Sequence, residues 1–401
     1  MILMRQVFEN ISYLIGSEDI LLGMVQTPAL PLFSEQAQAF FAALSKKLLA
    51  NPQTKSYPDL MDYAFWIRAA SLKKMSERYP QKNRKIGRGV SFHIAPSNVP
   101  MAFALSFTAG LLAGNGCVVR LSEKVFPQAD LLLETIGIVL ADYTGIKPYL
   151  CFIRYPHNEE VTAALSAMCD VRIIWGGDQT IQAIRKAPLS PRAVELTFAD
   201  RYSLAVIDAD RYLQMNVEKV AELFYLDTYY IDQNACSSPR LVCWLGENIE
   251  QAKVRFWKEL SKLVCRDYEF APIQAVDKLT AFCKAAIHEH VKLQKDDNLI
   301  FRLELEQLEP EIMEYKESGG FFFEYTVHSL KELLPMLEKP CQTLCCVGIE
   351  PEELRDMIIK GGVRGGDRVV PVGETNKLTL LWDGFDLCET MSRYVDVGKD
   401  E

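Results

Sequence analysis

The sequence predicts a two-domain α/β protein built on parallel sheets, and three observations support that reading. The chain has 401 residues, more than one ordinary hydrophobic core holds. Its composition, 49% apolar and 24% charged, is that of a soluble globular chain. From Gly89 onward, short apolar runs alternate with helical patterns in units of ~30 residues, the mark of βαβ units whose helices cover both faces of a parallel sheet.

Residues 1 to about 85 alternate helical patterns with breaks at Pro28, Pro31, Pro52 and Pro58. Phe40-Phe41-Ala42-Ala43-Leu44 and Tyr63-Ala64-Phe65-Trp66-Ile67 both lie in segments with the i, i+3, i+4 spacing of amphipathic helices. Beyond Gly89, Val90 to Ile94 predicts a strand, Ala95 to Pro100 a loop, and Met101 to Leu112 an almost wholly apolar helix closed by Gly114-Asn115-Gly116. The next strand is Cys117 to Leu121. A helix from about Pro127, a strand at Tyr149 to Arg154, a helix from about Asn158 and a strand at Val171 to Trp175 follow. Gly176-Gly177 then opens a helix at Asp178. Such a sheet takes ligands beyond the carboxyl ends of its strands, so this part predicts a nucleotide-like ligand, although no G-x-G-x-x-G is present. Further on come helices near 250 to 264 and 275 to 293, then Gly319-Gly320-Phe321-Phe322-Phe323 and the β-rich Thr343 to Val347. The run Gly361-Gly362-Val363-Arg364-Gly365-Gly366 reads as either a surface turn or the rim of a site. Asn376 to Trp382 reads as a final strand. The division expected is a cofactor domain over 1–215, with a helical segment over 1–85, and a catalytic domain over 216–401.

Several classes of function are excluded. No run approaches the ~18 to 20 uncharged apolar residues that cross a bilayer. The stretch Met1 to Gln6 is followed by an acidic residue within ten positions and shows no cleavable signal pattern, so a cytoplasmic location is expected. The eleven cysteines have no regular spacing and read as reduced thiols. His288 and His290 point apart on a helix and have no third ligand nearby in sequence, so no metal is expected. A net charge of −9 with interspersed signs argues against a nucleic-acid surface.

Two stretches carry candidate chemistry. Asp232-Gln233-Asn234-Ala235-Cys236-Ser237-Ser238-Pro239-Arg240 sets a cysteine among small and polar residues just ahead of the apolar run Leu241 to Leu245. A thiol on such a loop, with backbone N–H groups to favour its anion, can serve as a nucleophile, whereas a buried thiol is inert packing. In Ala95-Pro96-Ser97-Asn98-Val99-Pro100, an amide stands between two prolines ahead of a helix. Asn98 either caps that helix or donates to an oxyanion.

Taken together, Gly89 to Pro100, Gly110-Leu111-Leu112-Ala113-Gly114-Asn115, Val118-Val119-Arg120-Leu121-Ser122-Glu123 and the cysteine segment resemble the aldehyde dehydrogenase superfamily. Within it the chain is most similar to the LuxC-type acyl-CoA reductases. Asp232-Gln233-Asn234-Ala235-Cys236, Arg368-Val369-Val370-Pro371-Val372-Gly373 and Trp382-Asp383-Gly384 match that branch, and the resemblance runs from about 85 to 390.

The resemblance implies an aldehyde dehydrogenase-like fold, with a Rossmann-type cofactor domain and an α/β catalytic domain. It also implies that Cys236 forms an acyl-enzyme, that Asn98 and the Cys236 N–H hold the oxyanion, and that the chain forms a homo-oligomer through a terminal strand. The substrate implied is a fatty acyl group on coenzyme A or a carrier protein, delivered by an acyl-transferring partner. Arg120, Ser122, Glu123, Gly176 and Gly177 fall at the cofactor-binding positions. Arg120 argues for NADPH because a guanidinium fork suits a 2′-phosphate, while Glu123 argues for NADH; NADPH is the expectation. Two departures stand out. The superfamily's Glu-Leu-Gly-Gly-Lys segment is replaced by Val194 to Asp200, with Glu195 one residue out of register, which favours reduction over oxidation to acid. The phosphate turn carries Asp178, which a pyrophosphate would repel. An acid-forming dehydrogenase using Glu195 as base and a non-redox acyl-cysteine transferase remain as alternatives.

Overall fold

A computed structural model describes residues 2–295 and 297–398. The chain forms two compact units. One runs to Ala199 and takes back the chain from Leu378, and the other spans Asp200–Lys377.

The first unit carries a six-stranded sheet of Ser12–Ile15 (β1), Val90–Ile94 (β2), Gly116–Arg120 (β3), Leu150–Arg154 (β4), Val171–Trp175 (β5) and Val194–Phe198 (β6). The order is β1-β4-β3-β2-β5-β6, with β1 antiparallel to β4 and every other pairing parallel. The progression reverses at β2, so the switch point of a doubly wound sheet lies between the loops that follow β2 and β5. Those loops are Ala95–Pro100 and Gly176-Gly177. Behind the sheet packs Ala102–Leu112, a helix whose residues 103–112 are all buried, as its unbroken apolar sequence demands. Phe107 stands edge-on to Phe152 at 5.1 Å and tilts against Phe41 of the helix Glu35–Ala50 at 5.7 Å. The N-terminal helical segment thereby joins this core.

The Gly114-Asn115 pair closes the helix for steric and hydrogen-bonding reasons. Gly114 has φ +96°, and a Cβ there would stand 2.0 Å from the Leu30 carbonyl oxygen, so only glycine fits. Asn115, fully buried, accepts from the N–H groups of Arg88 (2.7 Å) and Gly89 (3.1 Å) and donates to the carbonyls of Gly110 (3.2 Å) and Met391 (2.9 Å). One amide therefore ties the helix, the entry to β2 and the returning C-terminal segment together.

The second unit carries Tyr202–Asp208 (β7), Pro239–Leu245 (β8), Val291–Lys295 (β9), Phe301–Leu305 (β10), Phe321–Thr326 (β11), Cys341–Val347 (β12) and Arg368–Pro371 (β13). Their order is β9-β10-β11-β8-β7-β12-β13, parallel except for β9 against β10.

Three expectations change. The division lies at Ala199/Asp200, not near 215, because β7 already pairs with β8 and β12 in the second sheet. The final strand is not Asn376 to Trp382: only Leu381–Trp382 is extended, in a short hairpin with Phe385–Asp386, since Asp383 (φ 50°) and Gly384 (φ 75°) turn the chain between them. Further on, Ser392–Tyr394 pairs antiparallel with Lys85–Gly87 of the same chain. The third concerns the glycine run. Gly362 ends the helix Pro351–Gly361 at φ 62°, and a Cβ on Gly365 would strike the Glu338 carbonyl oxygen at 1.8 Å, so the run makes a packed turn. Among the described residues no helix is long and apolar enough to cross a membrane, and no group of three or more His, Cys, Asp and Glu is placed to hold a metal.

Candidate active site

Cys236 lies on the loop between the turn Tyr229–Ile231 and β8, at the amino end of the second parallel sheet. That loop is wound by two successive non-glycine residues in the left-handed region, Asp232 (φ 56°) and Gln233 (φ 52°), each of which costs roughly 1–2 kcal/mol. The surroundings hold the strained conformation in place. Gln233 is fully buried, and its carboxamide oxygen accepts from the N–H groups of Gly320 (2.7 Å) and Phe321 (3.1 Å), while its nitrogen donates to the carbonyls of Pro239 (3.1 Å) and Phe321 (3.3 Å). Gly320 has φ +87°, and a Cβ there would meet the Leu299 carbonyl oxygen at 2.2 Å, so the partner turn requires glycine as well. Asp232 accepts from the Tyr268 hydroxyl and from Gln274 Nε2 (2.9 Å). The Arg240 guanidinium, 8% exposed, donates to the carbonyls of Gln233 and Glu317 and sets a fixed positive charge close enough to interact with Cys236. Burial lowers the pKa of Arg240 from its ordinary value. The Asp-Gln-x-Ala-Cys pattern is thus mostly a device for fixing the cysteine backbone.

The cysteine itself is half-buried, and Gln342 Nε2 donates to its Sγ at 3.1 Å. Its carbonyl accepts from Ser203 Oγ at 2.7 Å. Eight of the other cysteines are buried, and burial pushes the thiols of Cys117, Cys151, Cys169 and Cys341 up to about 12. Cys265 and Cys283 are exposed on the helices Ile249–Asp267 and Pro272–His288. Among the described residues, Cys236 alone combines access with a hydrogen-bond donor from a strand. Neither Ser203 nor Gln342 is signalled in the sequence: each is a polar residue in a largely apolar strand, and only the folded sheet brings them to the loop.

A second buried network lies behind this loop. Asp227, the last residue of the helix Val217–Asp227, accepts from the N–H groups of Gly373 (2.6 Å) and Thr375 (3.1 Å) and from Thr375 Oγ1 (2.8 Å). The segment it holds places Asn376 Oδ1 at 3.0 Å from Ser237 Oγ, which donates to it. Burial raises the Asp227 carboxyl to about 6, above its unfolded value of 3.8. The folded state then binds this proton more tightly than the unfolded state. The group accordingly favours the fold below its unfolded pKa, and that contribution is lost as pH rises to about 6. In Asp227→Asn the melting temperature should be flatter between pH 4 and pH 6 than in the unmodified protein; parallel curves would show that Asp227 does not titrate in that window.

The remaining sequence candidates all lie at the carboxyl edge of the first sheet. Asn98 is exposed on the loop after β2. The N-cap of the helix Ala102–Leu112 is Met101, which makes no side-chain cap bond, so Asn98 does not occupy the cap position. Arg120 ends β3, its Nη2 donating to the Tyr155 carbonyl at 3.4 Å and its guanidinium lying 4.6 Å from the Tyr155 ring centre. The Arg120 Nε is buried without a hydrogen-bond partner. Arg154, at the end of the neighbouring β4, donates to the Ser122 carbonyl at 3.0 Å, and Ser122 Oγ donates to the Lys124 carbonyl at 3.3 Å. Glu123 is exposed on the same bend. Gly176 and Gly177 follow β5. Gly177 has ordinary backbone angles (φ −65°) and nothing within 4 Å of where a Cβ would stand, so folding does not require glycine there, whereas a ligand approaching the backbone would. Asp178 is exposed at the first position of the helix Asp178–Arg185.

Glu195 is committed elsewhere. On β6 its Oε2 accepts from Arg172 Nε (2.9 Å) and its Oε1 from Arg185 Nε (2.7 Å). Both carboxylate oxygens are thereby engaged by guanidinium donors of the same unit. His93, also buried in this unit, accepts at Nδ1 from Ser106 (2.7 Å), whose oxygen takes the Trp175 indole N–H (3.1 Å), and donates from Nε2 to Ser91 (2.8 Å). It is a satisfied core histidine.

The family described as acyl-CoA reductase (LuxC) matches residues 29–394. A long-chain acyl-protein thioester reductase of Aliivibrio fischeri is 27% identical over 302 residues, covering 72% of this chain and 59% of that protein. One from Photorhabdus laumondii is 25% identical over 323 residues, covering 75% and 62%. The chain therefore spans about three fifths of the length of these relatives. Among solved structures, aldehyde dehydrogenase 21 of Physcomitrella patens in complex with succinate superposes with a TM-score of 0.67 at 11% identity, covering 94% of this chain and 88% of that one. The 1-pyrroline-5-carboxylate dehydrogenase of Thermus with bound NAD gives 0.64 at 12%, covering 94% and 83%. At these identities the likeness establishes the aldehyde dehydrogenase fold.

Proposed function

The chain belongs to the acyl-CoA reductase (LuxC) family, and from that premise we propose that it reduces an acyl thioester to the aldehyde through an acyl-enzyme on Cys236. The observation that carries this reading is that Cys236 is the one cysteine both reachable and hydrogen-bonded at sulfur by a strand residue. In the proposed cycle the Cys236 thiolate attacks the thioester carbonyl carbon. Asn98 and the Cys236 N–H stabilise the oxyanion, and the carrier thiolate departs as its C–S bond breaks. A reduced nicotinamide, when bound, would supply the hydride that converts the enzyme thioester to the thiohemiacetal oxyanion. Collapse of that adduct returns the thiolate to Cys236 and releases the aldehyde. No water-activating base is needed, which agrees with the pairing of Glu195.

The residues at the carboxyl edge of the first sheet fit a dinucleotide. Gly177 leaves its backbone open to a phosphate, and Arg120 retains an unpartnered buried N–H beside Arg154. The Arg120 guanidinium, a bidentate partner for phosphate, weighs against the exposed carboxylate of Glu123 and favours a 2′-phosphate, hence NADPH. Arg120→Ala should raise KM for NADPH far more than for NADH, and Glu123→Gln should improve use of NADPH. A tenfold preference of the unmodified protein for NADH in kcat/KM would contradict this choice.

Substrate class follows the relatives, whose names specify long-chain acyl-protein thioesters. A long-chain acyl group on a protein or on coenzyme A, received from an acyl-transferring partner in the cytoplasm, is the proposal. The test is to incubate the protein with palmitoyl-CoA, or with a palmitoylated carrier protein, and NADPH. Loss of reduced-cofactor absorbance matched mole for mole by aldehyde supports the reading. Acyl transfer to an added thiol without cofactor consumption would replace it with the transferase alternative.

A further inference from the structure

We propose that Gln342 is a catalytic residue, its carboxamide N–H holding the Cys236 thiolate in the attacking position; this rests on Cys236 being the nucleophile. Gln342 is 1% exposed on β12, a strand with no exposed position, where an amide is costly to bury unless its hydrogen bonds are made. Its placement depends on an irregularity in the sheet. Cys341 pairs with Tyr202 and Leu344 with Leu204, so β12 carries one more residue than β7 across this gap, and Gln342 and Thr343 occupy it. Such bulges re-aim side chains out of the regular alternation. Here the bulge turns the Gln342 nitrogen to 3.1 Å from Cys236 Sγ.

The orientation of the amide is set by its neighbours. Thr343 Oγ1 donates to Gln342 Oε1 at 3.3 Å, which leaves the NH₂ end facing the sulfur. The Thr343 N–H donates to Ser203 Oγ at 3.1 Å, and Ser203 donates in turn to the Cys236 carbonyl at 2.7 Å. The hydrogen bonds form a ring that begins at the sulfur of Cys236 and ends at its own carbonyl, so both ends of the residue are fixed by one pair of adjacent strands. A neutral thiol is a weak acceptor and a thiolate a strong one, so a donor at this distance favours the charged, nucleophilic form. In the reaction the thiol proton goes to solvent. The sulfur lone pair forms the bond to the acyl carbon, the carrier C–S bond breaks with its electrons going to the carrier sulfur, and Gln342 keeps both its hydrogens throughout.

The test is the pH profile of Cys236 alkylation by iodoacetamide, read peptide by peptide by mass spectrometry in the full-length protein without cofactor. The exposed Cys265 and Cys283 serve as references in the same sample. Gln342→Leu, which keeps the volume and removes the donor, should move the Cys236 midpoint upward by about one to two pH units. Gln342→Glu should move it at least as far, because a carboxylate repels the thiolate. Thr343→Val, which frees the amide to turn, should give a smaller shift in the same direction and serves if the position 342 variants fail to fold. The references should not move in any variant. A lowered melting temperature with an unmoved Cys236 midpoint would reduce Gln342 to a packing residue and overturn the proposal. Failure of the unmodified protein to take up an acyl group would instead count against the Cys236 mechanism, and the alkylation profile would still report on the hydrogen bond.

Discussion

Cys236→Ala is expected to lower the rate of acyl reduction by roughly 10⁴-fold or more, the scale of loss when a covalent nucleophile is removed. The loop should stay folded, because the bonds through Gln233, Arg240, Asp232 and the Cys236 carbonyl do not use the sulfur; the loss of stability should be confined to the about 1–3 kcal/mol of the buried Gln342 bond to Sγ. Steady-state turnover and a melting curve on the same preparation check both halves. A rate within tenfold of the unmodified enzyme would place the nucleophile elsewhere.

The second large effect is at Asn98. Loss of one preorganised oxyanion donor typically costs a factor of 10²–10³ in kcat, so Asn98→Ala should fall by ~100-fold or more. Because Met101, without a side-chain bond, begins the following helix, the variant should not show the ~1 kcal/mol loss of a missing cap. A variant with near-normal kcat and a lowered melting temperature would return Asn98 to a structural role.

The local pattern of the chain made much of this legible. The strands Val90–Ile94 and Val171–Trp175 and the helix start at Asp178 appear where the alternation of apolar runs and turn residues puts them. Cys236 stood out because small and polar residues surround it ahead of an apolar strand. What local pattern could not reveal depends on distant pairing. Gln342 lies 106 residues beyond Cys236 in a strand that otherwise reads as core, and the bulge that turns it toward the sulfur is a property of the β7/β12 ladder. The return of the chain from Leu378 to the first unit is likewise invisible in sequence, since it depends on the Asn115 to Met391 bond and on the pairing of Ser392–Tyr394 with Lys85–Gly87. Asn376 to Trp382 misled because partial alternation resembles a strand, while Asp383 and Gly384 impose a turn at its end.

The acyl-enzyme itself is the most direct object of measurement. Mixing the protein with palmitoyl-CoA in the absence of nicotinamide cofactor, followed by intact-mass and peptide mass spectrometry, should show one added palmitoyl group per chain, located on the peptide that contains Cys236 and discharged on addition of NADPH. An acyl group found on Cys243, Cys265 or Cys283, or no mass increase in protein that nonetheless consumes NADPH with palmitoyl-CoA, would contradict the mechanism.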